Sequence, residues 1–91
     1  MTDTRKMPSE DELERTILDL VAERGPGKTI CPSEAARALA GKDPEAWSRL
    51  MPNIRRAAVR LMKDGRVEIR RKGRAVDPDD FRGIYRIAPG A

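Results

Sequence analysis

The chain has 91 residues, a formal net charge of +4, one cysteine, no histidine, and one each of tryptophan, tyrosine and phenylalanine. This length suits a single domain with a small aliphatic core and little volume for a deep substrate cavity. Without histidine or a second cysteine, the sequence argues against an internal disulfide, zinc, haem and Ser-His-Asp chemistry. We therefore predict a protein that is not an enzyme and that uses no metal, cofactor or small-molecule ligand.

The sequence also bears on the cellular compartment. Residues 1–15 contain no apolar segment of the kind found in a secretory signal. No later stretch approaches the roughly 20 consecutive apolar residues of a membrane span. We expect a cytoplasmic protein without membrane contact, in which the lone thiol of Cys31 stays reduced.

Positive charge is concentrated in the second half of the chain. Residues 1–48 carry 7 basic and 10 acidic side chains, whereas residues 49–91 carry 12 basic and 5 acidic ones. Of the 19 cations 14 are arginine, whose planar guanidinium pairs in two contacts with phosphate or guanine. The uneven distribution indicates a polyanionic partner. An arginine bias in codon usage is an equal alternative explanation of the arginine count.

The first predicted element is a helix over residues 10–24. Ser9 and Glu12 have the spacing of a capping box. The Gly25-Pro26-Gly27 run then stops the helix.

A short segment and a second helix follow. Residues 28–31 are too few for an independent strand, although they can pair at a sheet edge. Pro32 suits the first position of a two-turn helix and Gly41 the position after its end. The inner face of this helix is predicted to hold Ala35, Ala36 and Leu39.

The third predicted helix contains a proline. Asp43-Pro44 indicates its start, and apolar residues recur every three or four positions from Trp47 to Leu61. Pro52 lacks an N–H and crowds the preceding turn, so it predicts either a kink or two helices that meet near Met51. Because the apolar phase is unbroken, we favour a kinked pair on one core face, ending at Asp64-Gly65.

After Gly65 the apolar period changes to two, which indicates strands. Val67 and Ile69 belong to the first strand, residues 71–74 form a basic turn, and residues 81–87 form the second strand. We predict an α+β fold of three main helices and a two-stranded β-hairpin. The domain is expected to span residues 9–88, between a flexible N-terminal tail (1–8) and a C-terminal tail (89–91).

The third helix carries a basic face opposite its apolar stripe. On a helical projection this face falls within an arc of about 80° and contains no acidic residue. Such a helix fits the major groove of DNA, where Arg and Lys read guanine and Asn reads adenine. A solvated face is the alternative, although such faces usually mix in Glu for pairing along the helix. The candidate DNA-binding residues are Arg49, Asn53, Arg56, Arg60 and Lys63.

The hairpin turn is the second basic element. Its cations surround Gly73, which permits a tight turn, and cations at a protruding tip can contact phosphates or a minor groove. The alternative is that charge protects an edge strand from aggregation. The candidate residues are Arg70, Arg71, Lys72 and Arg74.

Three segments carry a resemblance to a known family. Residues 30–39 (ICPSEAARAL), the run from Trp47 to Arg55, and Arg71-Lys72-Gly73 together with residues 81–86 resemble the bacterial family called domain of unknown function 3253. The likeness covers about residues 10–87 and implies a winged helix-turn-helix fold, with no established activity. It implies that residues 33–40 are the supporting helix, residues 52–64 the recognition helix and residues 70–74 the wing.

Charge and resemblance together lead us to expect binding of double-stranded DNA, in transcription regulation or as an accessory of DNA. An interaction module that binds an acidic protein, or a homodimer, is the alternative from another class. RNA binding is a further alternative, weakened because single-stranded bases stack on interleaved aromatic residues that this chain lacks.

Other residues have a structural and a functional interpretation. Cys31 precedes a helix N-terminus, which favours a reactive thiolate, but a half-buried structural thiol is the simpler reading. Trp47 is expected to anchor the core rather than to stack on a base. Asp77, Asp79 and Asp80 can attract a cation, yet a turn-forming role is favoured.

Overall fold

The computed structural model describes residues 7–90 and confirms the α+β class. The predicted tail residues 1–6, and Ala91, lie outside the described part. Within it, no helix has the length and apolar character needed to cross a membrane. The elements are α1 (Glu10–Arg24), α2 (Pro32–Ala40), α3 (Pro44–Ser48), α4 (Met51–Lys63), β1 (Val67–Arg71), β2 (Arg74–Ala75) and β3 (Arg86–Pro89).

Helix α1 begins with the predicted capping box. Glu12 N–H donates to Ser9 Oγ at 3.1 Å, and Ser9 N–H donates to Glu12 Oε1 at 2.8 Å. These two bonds satisfy amides that the first helical turn leaves free. The stripe of Leu13, Ile17 and Val21 is buried, so α1 packs one face on the core.

The end of α1 is joined to the start of α2 through Glu34. Its Oε2 accepts from the Cys31 N–H at 2.9 Å, and its other oxygen pairs with Arg24. Burial tends to raise the pKa of Glu34, but the hydrogen bonds from Cys31 and Arg24 and the charges of Arg24 and Arg86 outweigh it and hold the pKa below its ordinary value. The ionised carboxylate thus caps α2.

The third predicted helix is two helices, so the expected count of three is corrected to four. Helices α3 and α4 meet at Arg49 and Leu50, next to Met51 as the proline indicated. Pro52 occupies the first turn of α4, where a missing N–H leaves no intrahelical bond unmade. The α4 residues Ile54, Ala57, Ala58 and Leu61 are buried.

The sheet has three antiparallel strands in the order β2-β1-β3, which corrects the predicted two-stranded hairpin. Lys72 and Gly73 both have positive φ, 53° and 81°, as a two-residue type I′ turn requires between β1 and β2. The second predicted strand, residues 81–87, begins five residues before the observed strand β3. Residues 81–85 leave the sheet because Gly83 turns the chain at φ 84°, and pairing with β1 begins only at Arg86.

The core lies between the sheet and the helices. Ile87 on β3 pairs with Ile69 on β1 and, through a separate bridge, with Ile30 before α2. Segment 28–31 therefore pairs at the sheet edge, as its residues allowed. The largest fully buried side chains are Ile17, Ile30, Ile54, Leu61, Ile69 and Ile87.

Two buried aromatic residues anchor the loop between β2 and β3 (residues 76–85). The rings of Phe81 and Tyr85 meet edge to face, with centroids 5.3 Å apart. Arg55 Cζ on α4 lies 3.7 Å from the Phe81 centroid, and Arg55 Nη2 donates to the Phe81 carbonyl oxygen at 2.5 Å. Burial raises the pKa of Tyr85 to about 12, and no described residue pairs with its hydroxyl. The loop is thus fixed against α4.

Two isoleucines close in sequence should respond very differently to truncation. Ile87 is fully buried and Ile84 is 86% exposed. Ile87→Ala should lower the free energy of unfolding by about 2–5 kcal/mol, because it leaves a cavity under the sheet. Ile84→Ala should change it by less than about 0.5 kcal/mol. Urea unfolding followed by circular dichroism measures both, and equal losses would contradict the assigned burial.

The Tyr85 hydroxyl should make stability sensitive to alkali. Burial raises the pKa of Tyr85 from 10.0 to about 12, so the folded state favours the protonated hydroxyl. The free energy of unfolding is therefore at its full value below pH 10 and falls as the pH rises through 12. Tyr85→Phe should remove this loss, about 2–3 kcal/mol, and should not destabilise at neutral pH because no hydrogen bond is broken. Tyr85 is the one tyrosine in the chain, so absorbance of tyrosinate reports its pKa directly. An ordinary pKa would contradict the burial.

Candidate nucleic-acid interface

Three predicted residues on and just before α4 have no side-chain partner among residues 7–90. Arg49, at the junction with α3, and Arg56 are exposed, and Asn53 is half-buried. Within residues 7–90 their side chains form no hydrogen bond or ion pair. We call this group, Arg49, Asn53 and Arg56, the α4 ridge. Its cations are available to an anionic partner without first breaking an internal contact.

The other two predicted helix residues are engaged by carboxylates. Arg60 Nε lies 2.8 Å from Glu14 Oε2, and Arg60 Nη1 lies 3.9 Å from Glu10 Oε2, both on α1. Lys63 Nζ lies 2.7 Å from Asp79 Oδ1 in the 76–85 loop. Acidic residues thus flank the C-terminal half of the α4 face on two sides. Partly exposed pairs of this kind contribute about 0–1 kcal/mol, so phosphate can replace the carboxylates.

Two of the four predicted residues of the β1–β2 turn have polar partners within the protein. Arg70 Nε pairs with Glu68 Oε1 at 2.6 Å, and Arg71 Nε donates to the Ile84 carbonyl oxygen at 2.9 Å. Lys72 and Arg74 are exposed, and neither side chain has a polar partner in the described part of the chain. The tip of the turn therefore carries two unpaired positive charges.

Sequence reasoning missed the acidic flanks and the role of the 76–85 loop. Glu14 and Arg60 are 46 residues apart, and their contact depends on how α1 packs against α4. Arg55 stands one position from Arg56, yet it points toward Phe81 rather than along the ridge. On the helical projection Arg55 falls outside the basic face, and this position indicates that its side chain points elsewhere. Arg82, exposed in the same loop, adds a further cation that was not assigned.

The remaining candidates occupy structural positions. Cys31 is half-buried, with Sγ 3.1 Å from Ser33 Oγ. Trp47 is half-buried against the core, and the Arg37 guanidinium lies 5.4 Å from its ring centroid. Asp77 accepts from the Asp79 N–H at 2.9 Å within a turn. Among residues 7–90, no three acidic or cysteine side chains converge in a way that could hold a metal ion.

The comparisons with known proteins agree with the resemblance. No curated protein matches the chain. The family described as "Protein of unknown function (DUF3253)" matches residues 10–89, from the first residue of α1 to the last residue of β3. Because this match covers most of the chain and every helix and strand of the described structure, the chain belongs to the DUF3253 family.

Proposed function

We propose that this domain is a winged-helix module that binds double-stranded DNA, in transcription regulation or as a DNA-associated accessory. In this proposal α2 supports α4, α4 enters the major groove, and the β1–β2 turn acts as the wing. The contact of α2 with α4 and the antiparallel turn that follows α4 support this assignment. The third strand, β3, pairs with the edge of β1 that faces away from β2, and it also bridges to Ile30.

The observation that carries the proposal is the α4 ridge. Arg49 just before α4 and Arg56 and Asn53 on it have no side-chain partner among the described residues, and the opposite side of α4 is buried. A helix of this kind fits the major groove, where Arg pairs with guanine and Asn with adenine. The Arg49 and Arg56 side chains are free to reorient toward bases or phosphates, since no described residue holds them.

The free cations of the turn suit the phosphate backbone. Lys72 and Arg74 are exposed at a tight turn whose backbone is defined by two positive φ angles. Phosphate contacts position a protein on the duplex, while base contacts from a helix specify sequence. In this proposal the α4 ridge makes the base contacts and the β1–β2 turn makes the phosphate contacts.

The aromatic residues favour a duplex over single-stranded RNA. Phe81 and Tyr85 are each 7% exposed, and Trp47 is half-buried under Arg37. The two buried rings offer no surface to an unpaired base, and the Arg37 guanidinium lies over the Trp47 ring, which disfavours the stacking that single-stranded RNA needs.

Truncating the centre of the ridge tests the DNA-binding proposal. Arg56→Ala should weaken binding to a labelled mixed-sequence duplex by about tenfold or more and reduce the salt slope by about 1. Arg15→Ala is the matched control, since it removes the same charge from the outer side of α1. Fluorescence anisotropy at several salt concentrations measures both. Equal effects of the two variants, or no binding at low salt, would contradict the proposal and favour an acidic protein partner.

Releasing Arg60 from α1 should strengthen binding. Glu14→Gln removes the carboxylate 2.8 Å from Arg60 Nε and one negative charge beside the ridge. Affinity should rise by about two- to fivefold at low salt, because Arg60 loses its nearer carboxylate and keeps only the longer contact with Glu10. Glu23→Gln, an exposed change of equal charge near the other end of α1, should have a smaller effect. Weaker binding by Glu14→Gln would show that Arg60 needs its carboxylate in order to reach DNA.

A further inference from the structure

The 76–85 loop exposes an apolar side chain, that of Ile84, to solvent. Ile84 is 86% exposed, whereas its neighbour Tyr85 and the nearby Phe81 are each 7% exposed. The exposed segment Arg82-Gly83-Ile84 thus stands between two buried anchors. An isolated apolar residue on a surface is common, but this one is presented by a loop that the core fixes at both ends.

A backbone turn and two contacts of Arg71 fix the orientation of this segment. Gly83 adopts φ 84°, a conformation that side chains disfavour, and so turns the chain outward. Arg71 Nε donates to the Ile84 carbonyl oxygen at 2.9 Å. Its guanidinium lies so close to Gly83 that a Cβ there would stand 2.9 Å from Arg71 Nη2. Arg71 is therefore a positioning residue for the loop.

Two arginines, Arg71 and Arg82, lie beside Ile84, and the loop carboxylates of Asp77, Asp79 and Asp80 come earlier in the same loop. Arg82 stands two positions before Ile84, and Arg71 links the Ile84 backbone to the strand that leads to Lys72 and Arg74. The same loop is tied to α4 by Arg55 through the Phe81 carbonyl. An apolar side chain among cations complements a polyanion that offers apolar surface between its charges.

We propose that Ile84 is a wedge that enters the minor groove of the bound DNA and partly unstacks a base step, with Arg82 on the adjacent phosphate. This inference rests on the proposed DNA binding. Stacked bases present apolar surface flanked by phosphates, and proteins insert isoleucine, leucine or phenylalanine at such steps. Steps of a pyrimidine followed by a purine unstack most easily, so the wedge favours sites that contain them.

The test uses a short duplex in which one adenine of a TA step is replaced by a fluorescent analogue that brightens when unstacked. At saturating wild-type protein the fluorescence should rise. Ile84→Ala should leave it at the level of free DNA, weaken binding by about three- to tenfold and preserve the salt slope. Ile84→Leu should restore the rise, because it keeps an apolar side chain of similar volume.

Arg82→Ala is the matched control in the same loop. It should lower the salt slope by about 1 and still brighten the analogue at saturation. If the wild type binds in an Arg56-dependent manner without brightening the analogue, the wedge is wrong and DNA binding stands. If the wild type does not bind DNA, both proposals fail. If Ile84→Ala instead abolishes self-association in sedimentation, Ile84 is a protein contact and the wedge is wrong.

Discussion

The contact of Arg55 with Phe81 connects the helical and sheet parts of this small domain. The guanidinium stacks on the ring at 3.7 Å and also donates to the backbone carbonyl of the same residue. A stacked arginine contributes more than an exposed ion pair, because the ring excludes water from one side of the cation. This contact fixes the loop that leads into β3, and β3 completes the sheet. Together with the hydrogen bond from the Ile69 N–H to Met62 Sδ and the Lys63–Asp79 pair, this contact joins α4 to β1 and to the 76–85 loop.

Charge competition within the fold determines which cations are free. Carboxylates from α1 and from the 76–85 loop lie beside Arg60 and Lys63, whereas no carboxylate of the described residues pairs with Arg49 or Arg56. Two carboxylates of the acidic first half, Glu10 and Glu14, are therefore placed beside Arg60 of the basic second half. A partner with dense negative charge can displace such carboxylates, whereas a weakly charged partner cannot, so the arrangement selects for charge density.

Local signals predicted much of the fold. The capping box at Ser9 and Glu12 and the glycine stop at Gly25 are interactions between neighbours in sequence, so the bounds of α1 follow from them. The strand after the loop was misplaced because Phe81, Tyr85 and Ile87 share the alternation of a strand, yet the first two are buried by a turn at Gly83. The pairing of Arg60 depends on the packing of two helices, about which one helical projection carries no information. The sequence thus predicts the helices and their ends better than it predicts which cations are paired within the fold.

The bridge between Ile30 and Ile87 bears on how the chain folds. The two residues stand 57 positions apart, and each donates its N–H to the other's carbonyl oxygen, at 2.8 and 3.0 Å. Thr29, beside Ile30, also accepts from Arg86 through its hydroxyl and its carbonyl, so this closure is reinforced at two neighbouring positions. Contacts of such long range form only after the chain has lost the entropy of the intervening loop. The helices are local structures that need no such long-range closure, so we expect the pairing of β3 with Ile30 to form after them.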